Sequence, residues 1–203
     1  GAKDEAEALA KENPDFTFIF DNSKSGASLS WAHLFPGEKM PEVIKYVEDF
    51  DIWRWKYGAD TKAMACYLFL LGNKPEEVLK LFDVPLDEAM KEGRAMSRYA
   101  DFQIAAAIKN VEPLELRAGD HTVHIYNITS NKSEAGNTLS KERKSAVGLF
   151  TIHGKDVRIS FRSLEEHSPS ALDVARALGG GGHKNAAAAK MLLEDFFKAI
   201  VRE

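Results

Sequence analysis

Near its C-terminus the chain reads LGGGGHKNAAAA (178–189): four glycines, then a histidine, a lysine, an asparagine and four alanines. Glycine loses more backbone freedom on folding than any other residue, so a fixed run of four needs a reason. One reason is chemical. Following a helix, Gly179 serves as a left-handed cap. Gly180, Gly181 and Gly182 then let successive N–H groups turn into one concavity that receives an anion. HKNAAAA starts a new helix, whose N-terminus adds unpaired donors and partial positive charge. His183 and Lys184 stand beside the anion. The competing reading is a flexible linker, but linkers favour serine and other polar residues over this sequence. The run lacks the G-x-G-x-x-G spacing of a dinucleotide fingerprint and the G-K-[ST] ending of a P-loop. A phosphate-type site is the expectation, and the glycines alone do not say which phosphate.

Composition limits what such a site belongs to. The chain has 203 residues, 44% of them apolar and 29% charged. That suits one large domain or two small ones with a real core. The net charge of −4 argues against a protein whose whole surface binds nucleic acid. Any anion site is local, built from a few basic side chains and backbone N–H groups. No run approaches the roughly eighteen apolar residues of a membrane span. The first residues, GAKDEAEALAKEN, are charged and helical rather than a signal peptide. The single cysteine, Cys66, lies in the apolar run MACYLFLL, has no partner for an internal disulfide and is expected to be a buried small hydrophobe. This points to a reducing, cytoplasmic compartment.

The elements that hold the glycine run follow from periodicity and breakers. Residues 3–12 predict a short helix. FTFIF (16–20) is dense enough in apolar residues to predict an interior strand. Ser25 caps a helix over 26–35, which Pro36-Gly37 ends. Further helices are expected from Pro41, at about 60–71 and 75–82, and as one long helix from Asp87 to about Asn110. From Pro113 the pattern changes. Two strands flank a Gly119-Asp120 turn, a helix starts at Ser133, and AVGLFTI and DVRISFR form a hairpin around His153-Gly154-Lys155. SPSALDVARAL is a capped helix, and 191–203 a last amphipathic one. The fold class is α/β: a helix-rich front (1–86), a linker helix (87–110) and a smaller α/β domain with a mixed sheet (111–203).

The motifs in this order resemble a known family. GGGGHKNAAAA resembles the GGGH-xx-AA signature of the DHH-associated domain, the C-terminal half of DHH-family phosphoesterases. VRISFRSLEEHSPSALDVARALGGGGHKNAAAA (157–189) resembles that domain's strand, Ser-x-Arg-Ser, loop, helix and glycine loop. TSNKSEAGNTLSKE (129–142) resembles its upstream Ser-Glu-x-Gly-Asn helix start. In the front half, DNSKSGASLSWAHLFPGEKMPEVIKYVEDFDIWRW (21–55) is similar to the segment after the Asp-His-His motif. The resemblance covers most of residues 16–190.

It implies a phosphoesterase with two Mn2+ or Mg2+ ions, held by carboxylates and imidazole and activating a water between them. The Asp-His-His motif itself is absent. With Gly1-Ala2 at the start in place of Met, the expectation is that the front of the catalytic domain is missing and that this chain is inactive alone. Asp49 in YVEDFDIW is the implied metal ligand, with Asp51 the runner-up. Trp53 and Trp55 are expected in packing, or as a surface for a base. Arg162, Ser163, Gly179 to Gly182 and His183 are implied to hold the substrate, Arg162 by a two-bond grip on phosphate. Ser133 and Glu134 line the same cleft or simply cap a helix. Lys132, Lys141, Arg143 and Lys144 make a basic cluster, a solvated face or an approach path for a polyanion. His33, His121, His124, His153 and His167 read as structural. The substrate is a small phosphorylated anion: an oligonucleotide, as for an exonuclease, a cyclic or linear nucleotide, or polyphosphate, as for an exopolyphosphatase. A non-catalytic nucleic-acid-binding module, like the end of alanyl-tRNA synthetases, is the alternative.

Overall fold

The computed structural model describes residues 2–13, 15–72 and 74–201. The chain divides into two compact units, residues 1–99 and 100–203.

The first unit is helical among its described residues: α1 (Ala2–Glu12), α2 (Gly26–Leu34), α3 (Glu42–Asp51), α4 (Ala59–Leu71), α5 (Pro75–Leu79) and the start of α6 (Asp87–Lys109). Val43, Ile44, Ala63, Met64, Leu81, Leu86, Ala89 and Met90 form its core. As expected, Ser25 caps α2, its Oγ accepting from Ser28 N–H at 3.2 Å. Two expectations fail. Residues 16–20 do not form a strand, and Phe16, Ile19 and Phe20 are exposed. A strand needs a lateral partner for its N–H and C=O groups, and the described residues of this unit provide none. Cys66 is half-buried rather than buried, being on the α4 flank that leads to exposed Phe69 and Leu70.

The second unit holds a six-stranded mixed sheet, β1 (Leu114–Ala118), β2 (His121–Tyr126), β3 (Val147–His153), β4 (Asp156–Arg162), β5 (Gly181–His183) and β6 (Ala186–Leu192), in the order β1-β2-β3-β4-β6-β5. Only β2 and β3 pair in parallel. That pairing needs a crossover, which α7 (Lys132–Arg143) supplies. The alternation in β4 assigns the two faces. Val157, Ile159 and Phe161 join a core with α8 (Ala171–Ala177) and Phe196 of α9 (Leu193–Ala199). On the other face Tyr126, Val147 and Leu149 pack with Ala135 and Leu139 of α7 and with Ile104 and Ile108 from the end of α6. The last helix stops at Ala199, and Arg202 and Glu203 lie outside the described residues.

The run HKNAAAA does not start a helix. Residues 186–189 are in β6, and Lys184 and Asn185 are the two-residue turn of a β5–β6 hairpin. Four alanines favour helix in isolation, but β4 offers a full antiparallel ladder from Arg162↔Ala186 to Asp156↔Leu192, and pairing decides.

Candidate anion-binding site

Gly179 ends α8 in the left-handed conformation, with φ 75°. Gly179 N–H donates to Arg176 O, and Gly180 N–H to Ala175 O at 2.8 Å, closing the helix as the sequence led one to expect. The remaining glycines do not form the concavity of N–H groups envisaged from sequence. Gly181 and Gly182 are in edge strand β5, where successive N–H groups point to opposite sides. Gly180 and Gly182 lack side chains for a different reason, whereas a Cβ on Gly181 would meet nothing within 4 Å. A Cβ on Gly180 would stand 2.1 Å from Ala188 O, and one on Gly182 2.6 Å from Ala187 Cα. Bare backbone lets β5 lie flush on β6, and Ala186 to Ala189 keep that approach shallow.

Register then sets the site. His183 faces Ala186, Ala186 faces Arg162, and Arg162 faces Val147. Residues paired across a sheet share a face, so His183 and Arg162 are on one face, two strands and about 10 Å apart. His183 is exposed. Between them the floor is small: Ala186, Ala188 and, beside Ala188, Gly181.

Arg162 is half-buried. Its Nη2 donates to Ser133 Oγ at 2.9 Å and its Nη1 to Phe161 O at 2.9 Å, both neutral acceptors. Burial pushes the guanidinium pKa down, and nearby Glu134 opposes that. Arginine stays protonated all the same, so a cation sits here with no carboxylate among the described residues bonded to it. Ser133 lies in the first turn of α7, after the left-handed Asn131, whose side chain makes no capping bond. Gly136 lets α7 come down on this spot: a Cβ there would be 2.8 Å from Arg162 Cγ and 2.7 Å from Leu149 Cδ1.

Other residues singled out from sequence have local duties. Ser163 is buried; its N–H donates to Asn185 O at 3.1 Å, and its hydroxyl accepts from Ala171 N–H at 2.9 Å. It ties the hairpin turn to the start of α8 and stands off the Arg162 face. Lys184 does not wait beside an anion: its ammonium is bonded to Glu165, which also accepts from Asn185 Nδ2 at 2.9 Å. The expected cluster of Lys132, Lys141, Arg143 and Lys144 divides, because Lys132 opens α7 and the others close it, about 13–18 Å further along the helix axis. Arg143 donates to Tyr126 Oη at 2.8 Å. Of the histidines, His167 is structural: its Nδ1 accepts from Leu164 N–H at 3.2 Å.

Asp49 in the first unit is 2% exposed. Its carboxylate accepts from Lys56 N–H at 2.8 Å, Tyr57 N–H at 3.2 Å and the Thr61 hydroxyl. Burial alone would raise its pKa, but these three bonds and Arg54 hold it below the usual carboxylate value. The loop so fixed keeps Trp53 and Trp55 at φ 58° and 57°, with their rings edge to face at 4.8 Å. Trp53 is partly exposed and Trp55 half-buried, so they pack on each other and on Phe50 rather than in the core. Asp51 is exposed. Among the described residues no three His, Cys, Asp or Glu side chains converge as a metal site would require.

Arg158 is what the sequence reading missed. It alternates with Arg162 in DVRISFR and shares its face, a signal present in the period of two once the strand is recognised.

The DHHA1 domain family matches residues 125–203. Over 184 residues the chain is 24% identical to uncharacterized protein R106 of Acanthamoeba polyphaga mimivirus, a match covering 85% of this chain and 42% of that protein. The chain therefore spans less than half the length of the curated relative it matches. Among solved structures it is similar to the pGpG-specific phosphodiesterase PggH of Vibrio cholerae, with 14% identity, 86% of this chain and 70% of that chain covered and a TM-score of 0.47. It is also similar to an uncharacterized protein from Helicobacter pylori G27, with 13% identity, 91% and 65% covered and a TM-score of 0.29.

Proposed function

We propose that this chain, whose residues 125–203 match the DHHA1 domain family, is the substrate-holding part of a DHH-family phosphoesterase. The intact protein hydrolyses phosphodiester or phosphoanhydride bonds in a small linear anion: an oligonucleotide, a nucleotide or polyphosphate. Arg162, with Ser133 and His183, grips a phosphate of that substrate. The observation that carries this reading is the half-buried Arg162 guanidinium, bonded among the described residues only to a hydroxyl and a carbonyl oxygen. A planar guanidinium with neutral partners has unused charge, and a phosphate meets it with charge-assisted bonds.

The role of Ser163 in this reading is indirect: it holds the turn that follows His183. Gly180 and Gly182 act through the close approach of β5 to β6. Manganese or magnesium supplies the water activation in the reading taken from the family resemblance. The described residues do not by themselves make a fit for such ions, since Asp49 is committed to three hydrogen bonds and no carboxylate or imidazole group converges on it. With Mn2+ alone this chain is expected to leave a 5′-phosphorylated dinucleotide uncleaved.

Titrating the 203-residue chain with a nucleoside monophosphate tests the grip. Arg162→Ala is expected to weaken binding at least tenfold, the loss of one charge-assisted contact of about 1.5–3 kcal/mol, and His183→Ala severalfold. Equal affinity of Arg162→Ala and the unaltered chain would remove the assignment.

A further inference from the structure

Arg162 is not the only cation on its sheet face. Arg158 stands opposite Thr151 of β3 on one side and Lys190 of β6 on the other. Lys132 reaches the same place from α7: its Nζ donates to Thr151 Oγ1 at 2.6 Å. The ammonium therefore hangs over the residue paired with Arg158, and Arg158 and Arg162 are both close enough to depress its pKa, after burial, the larger cause.

The counter-charges are few. Lys190 is neutralised by Asp156 at 3.0 Å. Among the described residues Lys132 is bonded only to the neutral threonine, and Arg158 makes no ion pair. Glu134 is the carboxylate near Arg162. Like charges on neighbouring positions of a sheet face oppose one another, and half-burial of Lys132 adds to the cost. Stability gives no reason to gather these three. A ligand does, and the floor of Ala186, Ala188 and Gly181 beside them keeps the face low.

Resting on the reading of Arg162, Ser133 and His183 as a phosphate grip, we propose that Lys132 and Arg158 form a second phosphate subsite beside it. The domain then holds two phosphoryl groups of one ligand laid along β4. The Cα atoms of Arg158 and Arg162 are about 13 Å apart along the strand, and the Lys132 ammonium lies at the Arg158 end, over Thr151. The ligand class is a linear anion with at least two separated phosphates. A 5′-phosphorylated oligonucleotide and an inorganic polyphosphate share that chemistry.

Calorimetric titration of the 203-residue chain with three probes tests this: a nucleoside monophosphate, a 5′-phosphorylated dinucleotide and tripolyphosphate. At least one of the latter two is expected to bind tenfold or more tightly than the monophosphate, and the probe that does so names the source. Arg158→Ala and Lys132→Ala should each erase most of that advantage while changing monophosphate affinity less than twofold. Arg158→Lys, which keeps the charge on an exposed position, should recover part of it. Arg158→Ala with full affinity for the favoured probe, or with equal loss for all three probes, would overturn the second subsite. So would equal affinity of the unaltered chain for all three, with the Arg162 dependence left standing. Failure of the unaltered chain to bind any probe would remove the first grip and the second subsite together.

Discussion

A carboxylate taken out of water must be met by donors, and Asp49 is met by three. The arrangement fixes the sign of its pH effect. Its folded pKa is depressed, so its contribution to stability is fully present above the unfolded carboxylate value, near 4, and is lost as pH falls through the lower folded value. Asp49→Asn keeps the shape but replaces one acceptor oxygen with a donor facing N–H groups. We expect a loss of about 1–3 kcal/mol at neutral pH. We also expect a flatter decline of stability below pH 4, measured as urea midpoints from pH 2 to 7. The neighbouring Glu48 ties down another loop, accepting from the Ser28 hydroxyl and pairing with Arg54 at 3.5 Å. Two successive carboxylates thus hold the starts of two helices, α2 and α4. A sequence reader sees two acids near a helix end and has no means of telling a buried acceptor from a ligand, because the N–H groups that use them lie seven, eight and twenty-three residues away.

At the scale of elements, the contact of α7 with β3 and β4 decides where Arg162 points. Gly136 is the residue that permits it. Gly136→Ala must move either Leu149 in the core or the stem of Arg162. The cost is that of overpacking, about 1–3 kcal/mol, and the expected signature is lower thermal stability with weaker monophosphate binding. Retained affinity in a folded Gly136→Ala chain would show that Arg162 does not need the helix to aim it. Local pattern exposed much of this architecture. The alternation of Val157, Ile159 and Phe161 with Arg158, Ser160 and Arg162 marks a two-faced strand, and Gly154 marks the turn before it. What local pattern could not supply was pairing. Ala186 to Ala189 read as helix because the strand beside them is twenty-four residues upstream in register, Arg162 against Ala186. Phe16 to Phe20 read as strand because nothing in five residues says whether a neighbour exists. The candidate site was open to sequence reading only to the same depth. Arg162 and His183 came from motif resemblance, whereas Arg158 and Lys132 come together only through the β3–β4 register and the start of α7.

At the scale of the whole chain, no helix among the described residues is long and apolar enough to cross a membrane, and the net charge of −4 opposes rather than attracts a phosphate at long range. Binding must therefore depend on short-range contacts, and every one named here belongs to the unit of residues 100–203. That unit has the means to stand alone. It has a core on each sheet face, one closed by α8 and α9, the other by α7 and the last turns of α6. At about 100 residues it is of ordinary domain size. A polypeptide of residues 100–203 is expected to melt in one cooperative transition and to bind a nucleoside monophosphate within about threefold of the longer chain, a difference under 1 kcal/mol. Calorimetry on both polypeptides at one salt concentration makes the comparison, since ionic screening weakens exposed charge contacts in each. A folded short polypeptide that had lost the affinity would mean that residues outside 100–203 complete the grip. Equal affinity would place the whole of it in the unit of residues 100–203, on the sheet face that carries Arg162 and His183 with Ser133 of α7 bonded to Arg162.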